Sequence, residues 1–479
     1  MDTTYFNDSN LESRFTLANS YKDINPQKNA LEVVVNVSNI NSGFFFPLNE
    51  KLPGSYFWQV YPQQIKIAWT ENSREIIVTW ISYNNLTGRL AYRKSYCIEC
   101  SIPSEWIFIR SNVSEYDFGD NFSNIQYIHS VRISELNEDC VYEYLVGLYS
   151  FWSELFIIKG KTPNYIHKTV YNKTEEPVKF TIIGDWGTGA QGQYTERLLE
   201  KDLDLRPVDG IIHLGDIAYD LDSNNGEVGD EFLRMIQPIA ARFPYMTLPG
   251  NHEYFKNMTH YTNRFKMPRN NDNQGTGLFY SFNLGYAHFI LINTEVYFRP
   301  KQLFGINTQD NWLVKDLKKA NENREQVPWV FVFMHRPIYC SSIKDDCSSF
   351  ADSLKNKLED IFNEYSVDVV FQAHSHIYER TYPIYNGKEK SGLRSKHVYK
   401  SAEAPIYIVN GHAGSREGHD SLFKPKFETW HILGFEKDYG YGRLEVYNKT
   451  HMYYEEFSSE KGEIIDHFWT IKSKARYNI

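Results

Sequence analysis

The sequence predicts an α/β domain, its sheet covered by helices, preceded by an all-β sandwich. Three observations carry that prediction. Beyond residue 177, five short apolar runs close in Gly, Pro or polar residues, as strands buried on both faces do. Segments with helical spacing of apolar residues fall between those runs. Before residue 165, apolar and polar residues alternate while Tyr and Trp recur, as half-buried sandwich strands require.

Taken in order, residues 1–53 show no clear pattern and read as an N-terminal extension draped over the next module. Residues 54–165 form the expected sandwich, with strands at Gln64–Trp69, Glu75–Trp80, Tyr142–Val146 and Phe156–Ile158. Residues 177–479 form the α/β domain. There Val178–Ile183 runs into Gly184-Asp185-Trp186-Gly187, and Gly210–Leu214 into Gly215-Asp216-Ile217-Ala218-Tyr219. Tyr245–Leu248 leads to Pro249-Gly250-Asn251-His252-Glu253, Trp329–Met334 to His335-Arg336-Pro337, and Val367–Phe371 to Gln372-Ala373-His374-Ser375-His376. Helices are expected over Gln193–Lys201, Asp230–Arg242, Gln309–Glu322 and Ser349–Tyr365, and loops over Asn270–Gly277 and Asn386–Lys400.

Composition bounds the function classes. With 479 residues the chain should hold two or three domains, and 42% apolar with 16% aromatic residues suffices for packed cores. The net charge of −9 argues against a nucleic-acid or anionic-membrane partner. No apolar stretch is long enough to span a bilayer. The start shows no basic region followed by an apolar one, so no signal peptide is visible. Sequons at Asn7, Asn36, Asn85, Asn112, Asn121, Asn172, Asn257 and Asn448 nevertheless point to a glycosylated, exported protein, secreted or in an endomembrane or vacuolar lumen. Cys340 and Cys347 flank a short polar loop after His335, where a disulfide would stiffen it. Cys97 and Cys100 are too few for a structural zinc site, and Cys140 is a partner for either.

The run ends carry the chemistry. In open α/β sheets the ligand site lies beyond the carboxyl ends of the strands, so Asp185, Asp216, Tyr219, Asn251, His335, His374 and His376 should converge. Glycine before Asp185, Asp216 and Asn251 suits a backbone leaving its strand sharply. Carboxylate, phenolate, amide oxygen and imidazole suit iron, zinc or manganese, and no cysteine joins them. Their number exceeds one ion's needs, whereas a shared carboxylate can bridge two ions ~3.5–4 Å apart. His213 reads as a core histidine holding the Asp216 loop, and His412 and His419 as loop residues.

These motifs resemble those of the purple acid phosphatases, a branch of the dinuclear metallophosphoesterases. The family pattern D-x-G, G-D-x-x-Y, G-N-H-E, V-x-x-H and G-H-x-H is matched in order, with Ala373 in place of the glycine of the fifth. Tyr219 discriminates, because most of the wider superfamily lacks it. The resemblance continues through Tyr378-Glu379-Arg380, Asn410-Gly411-His412 and Gly462–Trp469, and looks closest to the long two-domain form. It implies layered sheets flanked by helices, metallophosphoesterase-like, after a fibronectin type III-like sandwich, and a Cys340–Cys347 pair. It places Asp185, Tyr219 and His376 on Fe(III), Asn251, His335 and His374 on a divalent ion (Zn, Mn or Fe), and Asp216 between them. His252 is then the catalytic histidine that contacts the phosphate. The implied activity is acid phosphatase, a metal-bound hydroxide attacking phosphorus in a phosphorylated small molecule or protein. A phosphodiesterase or nucleotide pyrophosphatase on the same metals, and a glycosylated binding protein with weakened catalysis, are the alternatives. One departure stands out: the family's leaving-group histidine is missing between His335 and His374, and Phe350 takes its approximate place. Good leaving groups, in aryl phosphates and phosphoanhydrides, are therefore the expected preference.

Overall fold

The computed structural model describes residues 59–473, except 73, 98–101, 121, 138–139, 149–150, 161–176, 270–276, 300–305, 344–346, 421–422 and 424–427. The extension at 1–53, the sequons at Asn7, Asn36, Asn121 and Asn172, Cys100, and nearly all of the loop expected at 270–277 lie outside the described residues.

Nine strands build the N-terminal module: β1 (Gln63–Trp69), β2 (Ile76–Ser82), β3 (Arg89–Cys97), β4 (Ile107–Arg110), β5 (Asn112–Asp117), β6 (Ile125–Ile133), β7 (Cys140–Leu148), β8 (Phe151–Trp152) and β9 (Phe156–Lys159). They form two antiparallel sheets, β1-β2-β6-β5 and β4-β3-β7-β8, with β9 also pairing β7. Along β7 the alternate residues Tyr142, Tyr144 and Val146 are buried, the period-two pattern of a strand with one face on a core. Cys97 and Cys140, opposite each other on β3 and β7, are joined by a disulfide, which identifies the partner of Cys140.

The remaining strands are β10 (Val178–Ile183), β11 (Trp186–Gly187), β12 (Gly210–His213), β13 (Ile217–Ala218), β14 (Tyr245–Thr247), β15 (Tyr280–Leu284), β16 (Ala287–Leu291), β17 (Trp329–Phe333), β18 (Val369–Gln372) and β19 (Tyr378–Thr381). After them come β20 (Ile384–Tyr385), β21 (Lys388–Glu389), β22 (Leu393–Ser395), β23 (Val398–Lys400), β24 (Ile406–Asn410), β25 (His431–Phe435), β26 (Gly440–Val446), β27 (His451–Ser458) and β28 (Glu463–Ile471). Two large sheets result, ordered β14-β12-β10-β26-β27-β28-β23-β22 and β15-β16-β17-β18-β24-β19-β25. Strands β14, β12 and β10 are mutually parallel, as are β16, β17, β18 and β24. All five anticipated apolar runs are strands of these parallel cores. The sheets pack face to face through aromatic pairs, Phe180 of β10 on Phe289 of β16 at 4.6 Å and Phe371 of β18 on Tyr454 of β27 at 5.5 Å between ring centroids.

Helices α1 (Ala190–Leu205), α2 (Glu227–Met235), α3 (Gln237–Ala240), α4 (Phe255–Arg264), α5 (Ile306–Glu322) and α6 (Ser349–Glu364) connect the strands. In α1, Thr195, Leu199 and Leu203 recur every four residues and are all buried, so one apolar stripe faces the core. The helix expected over Asp230–Arg242 is split at Ile236, and Pro238 lies in the first turn of α3, where its missing N–H costs nothing. Helix α4 was not expected; Lys256, Asn257 and Met258 within it take left-handed conformations, so its regular part is too short for a helical period to show. The Asn386–Lys400 loop is corrected to three short strands, β21, β22 and β23, whose Lys and Ser side chains are exposed.

Both modules share one core. Trp69 of β1 packs on Phe180 and Phe282, 5.7 and 5.0 Å between centroids. Beside it, buried Asp230 of α2 accepts from Gln64 (3.0 Å), Asn124 (3.0 Å) and Gln126 (2.6 Å) of the sandwich and from Arg264 of α4 (2.6 Å).

Candidate metal centre

The backbone turns abruptly where each strand delivers its polar residue. Asp185 (φ 58°), Asp216 (φ 53°), Tyr219 (φ 56°) and His374 (φ 68°) all lie in the left-handed region, which side-chain-bearing residues avoid. Of the three preceding glycines only Gly215, at φ +86°, has such a conformation itself. Gly184 and Gly250 are instead required by close approach. A Cβ on Gly250 would stand 2.2 Å from Asp216 Oδ1, and one on Gly184 2.6 Å from the Asn410 carbonyl.

All seven residues anticipated from the sequence come together, in two groups. The Tyr219 hydroxyl lies 2.8 Å from Asp185 Oδ1 and 2.8 Å from His376 Nε2. His335 Nε2 lies 3.1 Å from Asn251 Oδ1, 3.1 Å from His374 Nδ1 and 3.2 Å from Asp216 Oδ2. Asp216 reaches toward both groups, since its charge acts on the Tyr219 phenol as well as on His335. Candidate ligand atoms of Asp216, His335 and His374 lie within 4.8 Å of one another.

Backbone carbonyls orient the rings. His335 Nδ1 bonds to Leu214 O at 2.8 Å and His376 Nδ1 to Gly418 O at 2.7 Å, so each ring turns its Nε2 into the cluster with a lone pair to offer. Asp185 Oδ2 accepts the His374 backbone N–H at 2.8 Å, which ties the first strand's ligand to the fifth strand's loop. Glu253 accepts three backbone N–H groups, from Asp216 (2.9 Å), Ile217 (2.8 Å) and Gly250 (2.7 Å), and so fixes the Asp216 loop.

Charges within the cluster act strongly on one another. Burial opposes ionisation of Asp216, but His335, His252 and His374 outweigh it and hold the carboxyl well below its usual range. Burial likewise opposes charge on His335, yet Asp216 pushes it up to about 9. Burial, then Asp185 and Asp216, push the Tyr219 phenol well above its usual range. Buried, mutually facing oxygen and imidazole donors fit two hard or borderline cations.

His252 stands at the rim. Its Nδ1 bonds to Asp220 Oδ1, its Nε2 lies 3.8 Å from Asp216 Oδ2, and its ring packs 4.5 Å from that of Tyr219. Sequence reasoning missed Asp220, as well as Arg416, 3.4 Å from Asp220, and Glu417, 3.7 Å from His252. It also gave no role to Glu253 or to Arg336, whose Nη1 lies 3.2 Å from His374 Nε2. Asp220 and Arg336 directly follow the candidates Tyr219 and His335, the one signal that could have found them. His213 is buried and bonds Tyr245 at 2.8 Å, and burial pushes it down to about 3. His412 is turned away from the cluster to Glu456 (2.8 Å), and His419 stacks on Tyr439 at 3.8 Å.

Cys340 and Cys347 form a disulfide, and Cys347 Sγ lies 3.3 Å from the hydroxyl of Ser375, between the two histidines of the fifth motif. Phe350, at the start of α6, packs on Phe298 at 5.3 Å. Among the sequons, Asn85, Asn112 and Asn257 are exposed, while half-buried Asn448 holds a turn through Thr450 and His451.

Three family models match the chain: the purple acid phosphatase N-terminal domain over residues 62–159, the calcineurin-like phosphoesterases over 178–378, and the iron/zinc purple acid phosphatase-like protein C over 404–467. Acid phosphatase type 7 of Danio rerio is 36% identical over 434 residues, covering 86% of this chain and 92% of that protein. Its Homo sapiens counterpart is 34% identical, covering 86% and 91%. A phosphoenolpyruvate phosphatase of Allium cepa is 26% identical, covering 85% and 81%. In fold, the chain is similar to a purple acid phosphatase from yellow lupin (Lupinus luteus) seeds, with a TM-score of 0.72 at 23% identity over 87% of this chain and 75% of that one. On this ground the chain belongs to the purple acid phosphatases, enzymes that hydrolyse phosphate monoesters at a dinuclear metal site.

Proposed function

We propose that the chain is an acid phosphatase in which Asp185, Tyr219 and His376 hold Fe(III), Asn251, His335 and His374 hold a divalent ion (zinc, manganese or iron), and Asp216 is shared. The observation that carries this reading is the Tyr219 phenol, set 2.8 Å from both Asp185 and His376. Burial and the carboxylates of Asp185 and Asp216 raise the phenol's pKa, and a phenolate oxygen is a hard ligand that suits a trivalent ion. Two ions bound there supply Lewis acidity toward the phosphoryl oxygens and toward water.

The chain's own groups do the rest. His252, fixed by Asp220 and pushed up to about 10 against its burial, carries positive charge in acidic solution and offers Nε2–H to a phosphoryl oxygen. Arg416 holds Asp220 from the other side, and Glu253 keeps Asp216 in place. The diesterase and binding-protein alternatives find no support among the relatives, which are named as phosphatases. Exposed sequons and two disulfides support an exported, glycosylated protein acting on phosphorylated small molecules or proteins.

Metal analysis with a visible spectrum of the purified protein tests the reading. Iron with a tyrosinate charge-transfer band is expected, and Tyr219→Phe should lose the band while phosphatase activity falls. Iron absent from the wild type, or a band that survives Tyr219→Phe, would sink the assignment.

A further inference from the structure

The outer face of the sheet β1-β2-β6-β5 is polar where it meets the catalytic module. Lys66, Thr79, Ser130 and Asn112 stand in register across its four strands, while the alternate residues Ile65, Ile67, Val78 and Val131 fill the sandwich core. Between Asn112, Ser114 and Ser130 of this face and Phe265, Lys266 and Arg269, which follow α4, lies a cleft of about 300 Å³. That is the size of a small-ligand site.

The polar groups of the cleft are left open. Among the described residues, the side chains of Asn112, Ser114, Ser130 and Arg269 have no hydrogen bond or ion pair. Lys266 gives one of its N–H donors to Thr262 O at 3.2 Å and keeps the others. Glu71, the acid in the cleft wall, is engaged by Arg132 at 3.2 Å. Two cations of the catalytic module thus face hydroxyl and amide groups of the sandwich across a gap. Something that carries several oxygens would join them.

One occupant is tied to the spot by the sequence. Asn112 opens the sequon Asn112-Val113-Ser114 and lies on β5, the edge strand of its sheet, with its side chain exposed. Resting on the reading of an exported, glycosylated protein, we propose that a glycan on Asn112 occupies this cleft and braces the sandwich against the catalytic module. Its transfer forms a bond from the sugar's anomeric carbon to Asn112 Nδ2. The diphosphate of a lipid-linked oligosaccharide leaves with the electron pair, and the amide proton passes to the transferase. The attached sugar starts within the cleft, so attachment gives it a high effective concentration there. Its hydroxyl oxygens accept from Lys266 and Arg269, and its acetamido group pairs with the serines of the sandwich. The exposed sequons at Asn85 and Asn257 do not line the cleft and serve as controls.

The test uses the full chain secreted from eukaryotic cells. Glycopeptide mass spectrometry should find Asn112 occupied. Treated in the native state with peptide-N-glycosidase, Asn85 and Asn257 should lose their glycans roughly 10-fold faster than Asn112, whose sugar must first leave the cleft. Asn112→Gln should lower Tm by about 2–5 °C, as the loss of two or three hydrogen bonds does in a chain this long, while Asn85→Gln shifts it less than ~1 °C. Lys266→Met should cost the glycosylated protein more than it costs the Asn112→Gln variant. Where Asn112→Gln is not secreted, the glycosidase comparison on the wild type decides alone. Asn112 bare while other sequons carry sugar, equal release at all three sites, or an unchanged Tm in Asn112→Gln would each overturn the proposal. A chain with no sequon occupied would overturn it together with the reading of a glycosylated, exported protein.

Discussion

Replacing Asp230 by alanine should loosen the whole molecule, because this one carboxylate is where the two modules are tied. Its oxygens accept from Gln64, Asn124 and Gln126 of the sandwich and from Arg264 of α4. Arg264 is 1% exposed and lies 3.9 Å over the Phe118 ring, so its charge has nowhere else to go. Removing one partner of a buried ion pair costs ~3–5 kcal/mol, and the stranded amide donors raise this to about 4–6 kcal/mol. Domains are stable by only ~5–15 kcal/mol, so the loss is a large share. Calorimetric melting of the full chain with its disulfides intact measures it. At ~2 °C or less per kcal/mol in a chain this long, Tm should fall about 5–10 °C. Adding Arg264→Met removes the stranded cation and should recover about 2–3 kcal/mol. A Tm for Asp230→Ala within ~2 °C of wild type would refute the reasoning.

Three further expectations follow from other sites. Burial, then Arg264 and Lys266, push Lys66 down to about 7 from 10.5. The unfolded chain therefore binds the extra proton between those values, and this residue's contribution makes stability rise with pH from about 7 to 10.5. Lys66→Met should raise Tm at pH 7 and flatten that slope; a lower Tm would contradict it. Glu253→Gln exchanges an acceptor facing three N–H groups for an amide that clashes with one of them, so metal affinity by titration should drop ~10- to 100-fold. An unchanged affinity would deny Glu253 its positioning role. Phe350→His places a proton donor in the loop and should raise turnover of alkyl phosphates relative to aryl phosphates. An unaltered ratio would remove Phe350 from any account of leaving-group preference.

Much of this was legible from residues. Runs such as Trp329–Phe333 are apolar throughout because the strand is covered on both faces, and the polar residue that follows marks where the cover ends. Strand ends converge in such folds, so the residues that cluster could be read in order along the chain. Pairing across the molecule could not. Nothing local says that β10 and β17 belong to different sheets, or that β26 joins β10. Asp220, Glu253 and Arg416 gain their roles from neighbours far away in sequence. The three short strands within 386–400 span only two or three residues each, too few for an apolar period to mark them.

The left-handed backbone at Asp185, Asp216, Ala218, Tyr219 and His374 sets the metals a second task. Each such conformation costs ~1–3 kcal/mol and persists only where its surroundings over-determine it. Ions held as proposed by four of those side chains, those of Asp185, Asp216, Tyr219 and His374, would be part of those surroundings. When the ions are withdrawn, the ligand loops should be the first segments to exchange their amide hydrogens, while the stacked sheets behind them stay protected. The enzyme's shelf life in the presence of a chelator would then be set by three loops of backbone and not by the strength of its core.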